Sequence, residues 1–152
     1  MDLQQTKNIY SVPLLKSAIT KIVIDNSSHV GAYKGSVDLA VPIGTPVLAG
    51  ADGVIARVRD DSDQYGNDIK YGQLVNYITI KHKYGELSEY LHLAKNSAQV
   101  KVGDSVKQGE AIAKTGLSGW LTAPHLHWMV YKTKGFQCLE IKLDLPLFES
   151  IT

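Results

Sequence analysis

Apolar residues in this chain recur every second position in short runs, and a glycine turn ends each run before a helical period can develop. Val47-Leu48-Ala49, Val54 to Val58, Leu74 to Ile80, Val106 to Ile112 and Leu126 to Tyr131 read as strands, with another over Lys21 to Ile24. Ile43-Gly44-Thr45-Pro46, Asp52-Gly53, Lys83-Tyr84-Gly85, Val102-Gly103-Asp104 and Gly116-Leu117-Ser118-Gly119 supply the turns between them. This pattern confines the chain to an all-β class. The expected architecture is a mostly antiparallel β-sandwich or barrel-sandwich hybrid with little helix.

An internal echo refines that expectation. Ile43-Gly44-Thr45-Pro46-Val47 is answered by Val102-Gly103-Asp104-Ser105-Val106, and each glycine turn leads through a strand to a second glycine, Gly50 or Gly109. The echo predicts a duplicated β-hairpin motif packed as two related units. Helix is limited to a turn or two over Leu14 to Ile19 and a short turn after His92. Leu139 to Leu143 alternates like an edge strand. The polar, aperiodic stretch from Arg59 to Lys70 reads as a mobile loop. Its four aspartates lack the glycine and closing glutamate of an EF-hand at the required spacing, so they read as solvated.

At 152 residues the chain fits one domain, 1–152, large enough to bury roughly 70% of the surface its unfolded form exposes. One cysteine, Cys138, excludes an intrachain disulfide framework. Sixteen basic residues stand against fifteen acidic ones without runs. That balance argues against a nucleic-acid partner. No stretch approaches the ~20 apolar residues of a membrane span, so no membrane insertion is expected. Met1 to Lys7 lacks the basic patch and apolar run of a secretory leader. Oligomeric state has no signature in these residues.

The chemistry concentrates in the histidines. His125 and His127, two apart in a strand pattern, point to the same face. Ser28-His29 lies upstream with Asp38 nine residues on, and Tyr90-Leu91-His92-Leu93 adds another histidine. A catalytic zinc site takes three protein ligands and leaves a position for water. His29, Asp38 and His127 make such a set for one Zn2+ ion. His92 and His125 then serve as the catalytic pair that handles the water proton and the oxyanion. His82, between lysines beside a turn, reads as structural or solvated. Trp120 reads either as a rim of the substrate cleft or as a core residue.

From about Ser28 to Tyr131 the chain resembles the lysostaphin-like, or LytM-type, zinc endopeptidases, in the form with the longer His-to-Asp spacing. Val37-Asp38-Leu39-Ala40-Val41-Pro42 with His29 is similar to the family's first ligand pair. Tyr90-Leu91-His92-Leu93 is similar to its catalytic-histidine motif, and Pro124-His125-Leu126-His127 to its closing motif. The resemblance implies a peptidase core at about 28–131, flanked by 1–26 and 132–152. It also implies peptidoglycan peptides as substrate and a cell-envelope or secreted location, while the residues themselves leave the compartment, the cytoplasm included, open. Many members have a histidine four residues before the aspartate, where this chain has Lys34. An ammonium is a poor zinc donor, which leaves His29 as the ligand. Two rival readings remain at this point. One is an inactive scaffold of the same fold that binds a partner. The other is a carrier module of the lipoyl, biotinyl or sugar-phosphotransferase type.

Overall fold

The computed structural model describes residues 3–24 and 31–145. Its strands are β1 (Lys21–Val23), β2 (Val37–Ala40), β3 (Pro46–Leu48), β4 (Gly53–Arg59), β5 (Tyr65–Gly66), β6 (Tyr77–Lys81), β7 (Glu86–Leu91), β8 (Ser105–Val106), β9 (Ala111–Lys114), β10 (Gly119–Trp120) and β11 (His125–Lys132). Seven of them form one sheet in the order β1-β2-β11-β7-β6-β4-β8, with every neighbouring pair antiparallel. Two ribbons complete the fold: β3 with β9, antiparallel, and β5 with β10, parallel. The molecule is therefore mostly antiparallel β, and its helix is confined to short 3-10 turns.

Period-two alternation sorts the sheet into a dry face and an open one. Leu39, Ile55, Ile78, Ile80, Tyr90, Leu126 and Trp128 are almost wholly buried on the dry face. Val47, Ile112 and Ala113 of the β3/β9 ribbon pack into the same core, as do Tyr10, Val12, Leu14 and Ile19. Full burial of each large apolar side chain stabilises by about 1.5–3 kcal/mol, and a second, smaller cluster of Met129, Tyr131 and Cys138 lies apart from this main core. The alternate residues of β2, β7 and β11 are left for the opposite face. They include Asp38, Glu89, His125 and His127.

The echo in the sequence corresponds to an exchange of strands. β3 and β4 follow the first glycine turn, and β8 and β9 follow the second, yet neither pair forms its own hairpin. β3 pairs with β9 and β4 with β8. The links are reciprocal: Ala49 N–H donates to Glu110 O and Gly109 N–H to Ala49 O, each at 2.8 Å. Gly44 and Gly103 both adopt a left-handed φ, of 87° and 96°, so a side chain at either turn would be strained.

Several local expectations change. The run from Val106 to Ile112 is two strands, because a turn closed by Glu110 N–H on Lys107 O interrupts it. Residues Ile69–Leu74 form a 3-10 turn, and β6 starts only at Tyr77. β7 escapes a hydropathy reading because Glu86, Ser88 and Glu89 are polar yet buried. Leu139 to Leu143 contributes only isolated bridges, Gln5 with Glu140 and Tyr10 with Leu143. The Arg59 to Lys70 stretch is anchored: β5 pairs with β10, Ser62 is bound on both sides by Asn76, and Asp60 accepts from Ala98 N–H. Among the described residues, no helix is long and apolar enough to cross a membrane.

Candidate active site

β2 and β11 place the first two groups. Cross-strand register sets His127 opposite Asp38, and directly paired residues share a face. Asp38 Oδ1 lies 2.9 Å from His127 Nδ1 and 3.7 Å from His125 Nε2. His125 Nδ1 is 2.9 Å from Ala123 O, and a carbonyl only accepts. Nδ1 therefore donates to that carbonyl, and Nε2 faces the carboxylate.

His92 arrives by a different device. It follows Leu91, which pairs with His127, so a continued strand would carry its ring to the dry face. Instead His92 takes a left-handed φ of 69°, a conformation that costs a residue with a side chain about 1–3 kcal/mol. The imidazole turns toward the other two, with centroids 4.5 Å from His125 and 6.3 Å from His127. Its Nδ1 donates to Ser118 O at 2.7 Å, which fixes the tautomer with Nε2 unprotonated. Burial, reinforced by the neighbouring His125, pushes its pKa down to about 3, and the Ser118 contact only partly opposes this. His92 is thus neutral at physiological pH.

These residues share a cavity of about 510 Å3. Asn67, from the Arg59 to Lys70 stretch, and Trp120, of β10, form one wall, and Trp120 is half exposed rather than packed in the core. Lys21 and Val23 of β1 form a further wall that the sequence did not suggest. Lys34 is exposed and does not line this cavity. His29, the predicted third ligand, lies outside the described residues. Among the described residues, no three His, Cys, Asp or Glu side chains form a metal-holding group. The pair that is described does suit one ion. Two donors each about 2.1 Å from a zinc ion lie no more than about 4.2 Å apart, and Asp38 Oδ1 and His127 Nδ1 fall within that span.

Sequence reasoning missed three contributors. Glu89 lies on the open face beside this site, opposite Met129. Burial raises its pKa, while Tyr131 and Arg57 oppose that shift. Strand alternation would not have shown this carboxylate, because three residues before His92 a regular strand points to the opposite face. Ser118 and Asn76 carry no signal either, because they act through backbone contacts. Asn76 Nδ2 donates to Ser62 O and Leu93 O, and Ser118 Oγ accepts from Asn76 N–H. His82 is structural: it is buried, with Nδ1 2.7 Å from Asp52 O and Nε2 2.6 Å from Ser88 Oγ.

The sequence model of the family described as Peptidase family M23 matches residues 32–138. The peptidoglycan DD-endopeptidase ShyC of Vibrio cholerae serotype O1 is 32% identical over 126 residues, covering 83% of this chain and 26% of that protein. A solved zinc-containing peptidase from Vibrio cholerae matches with a TM-score of 0.58 and 29% identity, over 88% of this chain and 41% of its own. The catalytic domain of lysostaphin from Staphylococcus simulans matches with a TM-score of 0.54 and 28% identity, over 78% of this chain and 79% of its own. This chain spans about a quarter of the length of the curated relatives it matches.

Proposed function

Because this chain belongs to peptidase family M23, we propose that it is a zinc-dependent endopeptidase that hydrolyses peptide bonds of bacterial peptidoglycan, in cross-links or stem peptides. It acts in the cell envelope or outside the cell. The observation that carries the reading is the meeting of Asp38, His92, His125 and His127, from three separated stretches, in one cavity inside the family-matched region. In this reading His29, Asp38 and His127 hold one Zn2+ ion, and His92 and His125 are the catalytic pair. The donor set, one carboxylate and two imidazoles, suits zinc. A bound zinc ion supplies a Lewis acid and lowers the pKa of water from 15.7 toward about 7.

The remaining work falls to the protein's own groups. His92, kept neutral by burial and oriented by Ser118, presents Nε2 as a proton acceptor, and once it has taken the proton of water its N–H is a donor for the developing oxyanion. His125, whose Nδ1–H donates to Ala123 O, presents its own Nε2 to the same space. The two rings share the tasks of taking the proton from water, steadying the charge on the carbonyl oxygen and returning a proton to the leaving amine. Trp120, Asn67 and the Leu121 to Pro124 turn line the wall along which the peptide lies.

The test combines metal analysis with digestion. Purified protein should carry one zinc per chain and release new amino termini from sacculi, and Asp38→Ala and His127→Ala should lose both properties. A wild type that stays inert on sacculi of several cross-link types after zinc loading would overturn the reading.

A further inference from the structure

We propose that Lys21 forms a carboxylate-binding subsite of the cleft and selects substrate peptides with a free carboxylate close to the scissile bond. The inference deepens the peptidase reading and rests on it. It starts from register across three strands. β1 pairs with β2, and β2 with β11, so that Val23, Asp38 and His127 form one cross-strand row and Lys21, Ala40 and His125 the next. Members of a row project from the same face, so Lys21 stands on the side that bears Asp38 and His125. Neighbouring strands lie about 4.8 Å apart, which puts the Lys21 backbone about 10 Å from that of His125. Ala40 between them has only a methyl group, so the row is hollow at its middle. All three residues line the same cavity.

Charge gives this placement its meaning. Lys21 is the one lysine or arginine among the described residues lining the cavity, and no ion pair among the described residues engages it. The other charged group there, Asp38, is committed to the two histidines. Asn67 and Thr122 are neutral. An ammonium on a flexible four-carbon stem is suited to meet an anion whose position varies slightly. A distance of about 10 Å corresponds to two or three extended residues, and the lysine stem spans part of it, so the matching carboxylate lies within about two residues of the cleaved bond. A cross-link of glycine alone offers no such charge. Lys21 also lies outside the 32–138 stretch matched by the family model, so this subsite is built by the chain's own N-terminal segment.

Edge strands also carry lysines simply to block pairing with other chains, and a test must separate the two roles. The full chain is titrated by calorimetry with two synthetic peptides whose scissile bond is N-methylated. One carries a free carboxylate within two residues of that bond and the other a carboxamide at the same position. The wild type should bind the carboxylate form about tenfold more tightly, as expected of a charge-assisted contact. Lys21→Met should bind both forms alike, and Lys21→Arg should restore the preference. Equal binding of the two peptides by the wild type, or binding of neither, overturns the proposal. So does a Lys21→Met variant that only changes association state. Because the readout is binding of uncleavable peptides, preference without hydrolysis of natural sacculi would sink the peptidase reading alone, and hydrolysis without preference would sink this proposal alone.

Discussion

His92 is the residue on which geometry imposes most, since a left-handed backbone, a buried ring and one carbonyl contact together set where Nε2 points. Asparagine tolerates that backbone conformation better than most residues but cannot shuttle a proton at neutral pH. His92→Asn should therefore melt within a few degrees of wild type and lose about 10²–10⁴-fold in kcat, the range typical of one general acid or base. A melting temperature far below wild type would show that the imidazole supports the fold instead. The pairing of His125 with His127 was legible in sequence because strand period fixes side-chain direction. The direction of His92 was not, because it depends on a dihedral angle that reverses the alternation. Lys21 was illegible for another reason: only a strand ladder, not spacing along the chain, brings it beside Ala40 and His125.

Elements position the site through a few buried polar anchors. Asn76 precedes β6 and ties Ser62, ahead of β5, to the Leu93 carbonyl beside His92. Asn76→Ala strands Ser62 N–H and C=O in a buried setting, at about 2–3 kcal/mol in total. Melting should fall by roughly 5–10 °C. Because the same region holds Ser118 against His92, peptide turnover should drop more than binding does. An unchanged melting temperature would mean that water replaces the amide. Glycine turns and apolar alternation made most strands readable. β7 was not, since each of its faces holds a buried carboxylate, Glu86 on one and Glu89 on the other, whose burial depends on partners far away in sequence. The anchoring of the Arg59 to Lys70 stretch was hidden similarly, as a polar, aperiodic run gives no hint of its partners Asn76, Ala98 and β10.

For the whole molecule, buried neutral histidines set the response to acid. In the folded state burial pushes His92 down to about 3 and lowers His82 as well, while both return to about 6.5 when the chain unfolds. The unfolded chain therefore binds more protons between those values. Stability is complete above about pH 6.5 and falls as the pH drops toward the folded value. For metal-free protein, His92 alone accounts for about 2 kcal/mol between pH 6.5 and 5. Glu89, raised by burial, works in the opposite direction and offsets part of this loss at the acid end. Urea midpoints at pH 7 and pH 5 read the difference directly, and His92→Asn should flatten it. Equal midpoints for the wild type would contradict the burial account. The same scale shows what the N-terminal segment does for its neighbours. β1 covers the outer side of the strand that bears Asp38, and Glu86 is filled by Lys7 N–H, Asn8 and the Tyr10 hydroxyl. A protein pruned to the stretch 32–138 would have a bare β2 margin, open to stacking against a second molecule, and a carboxyl group on the dry face of the sheet with its companions cut away.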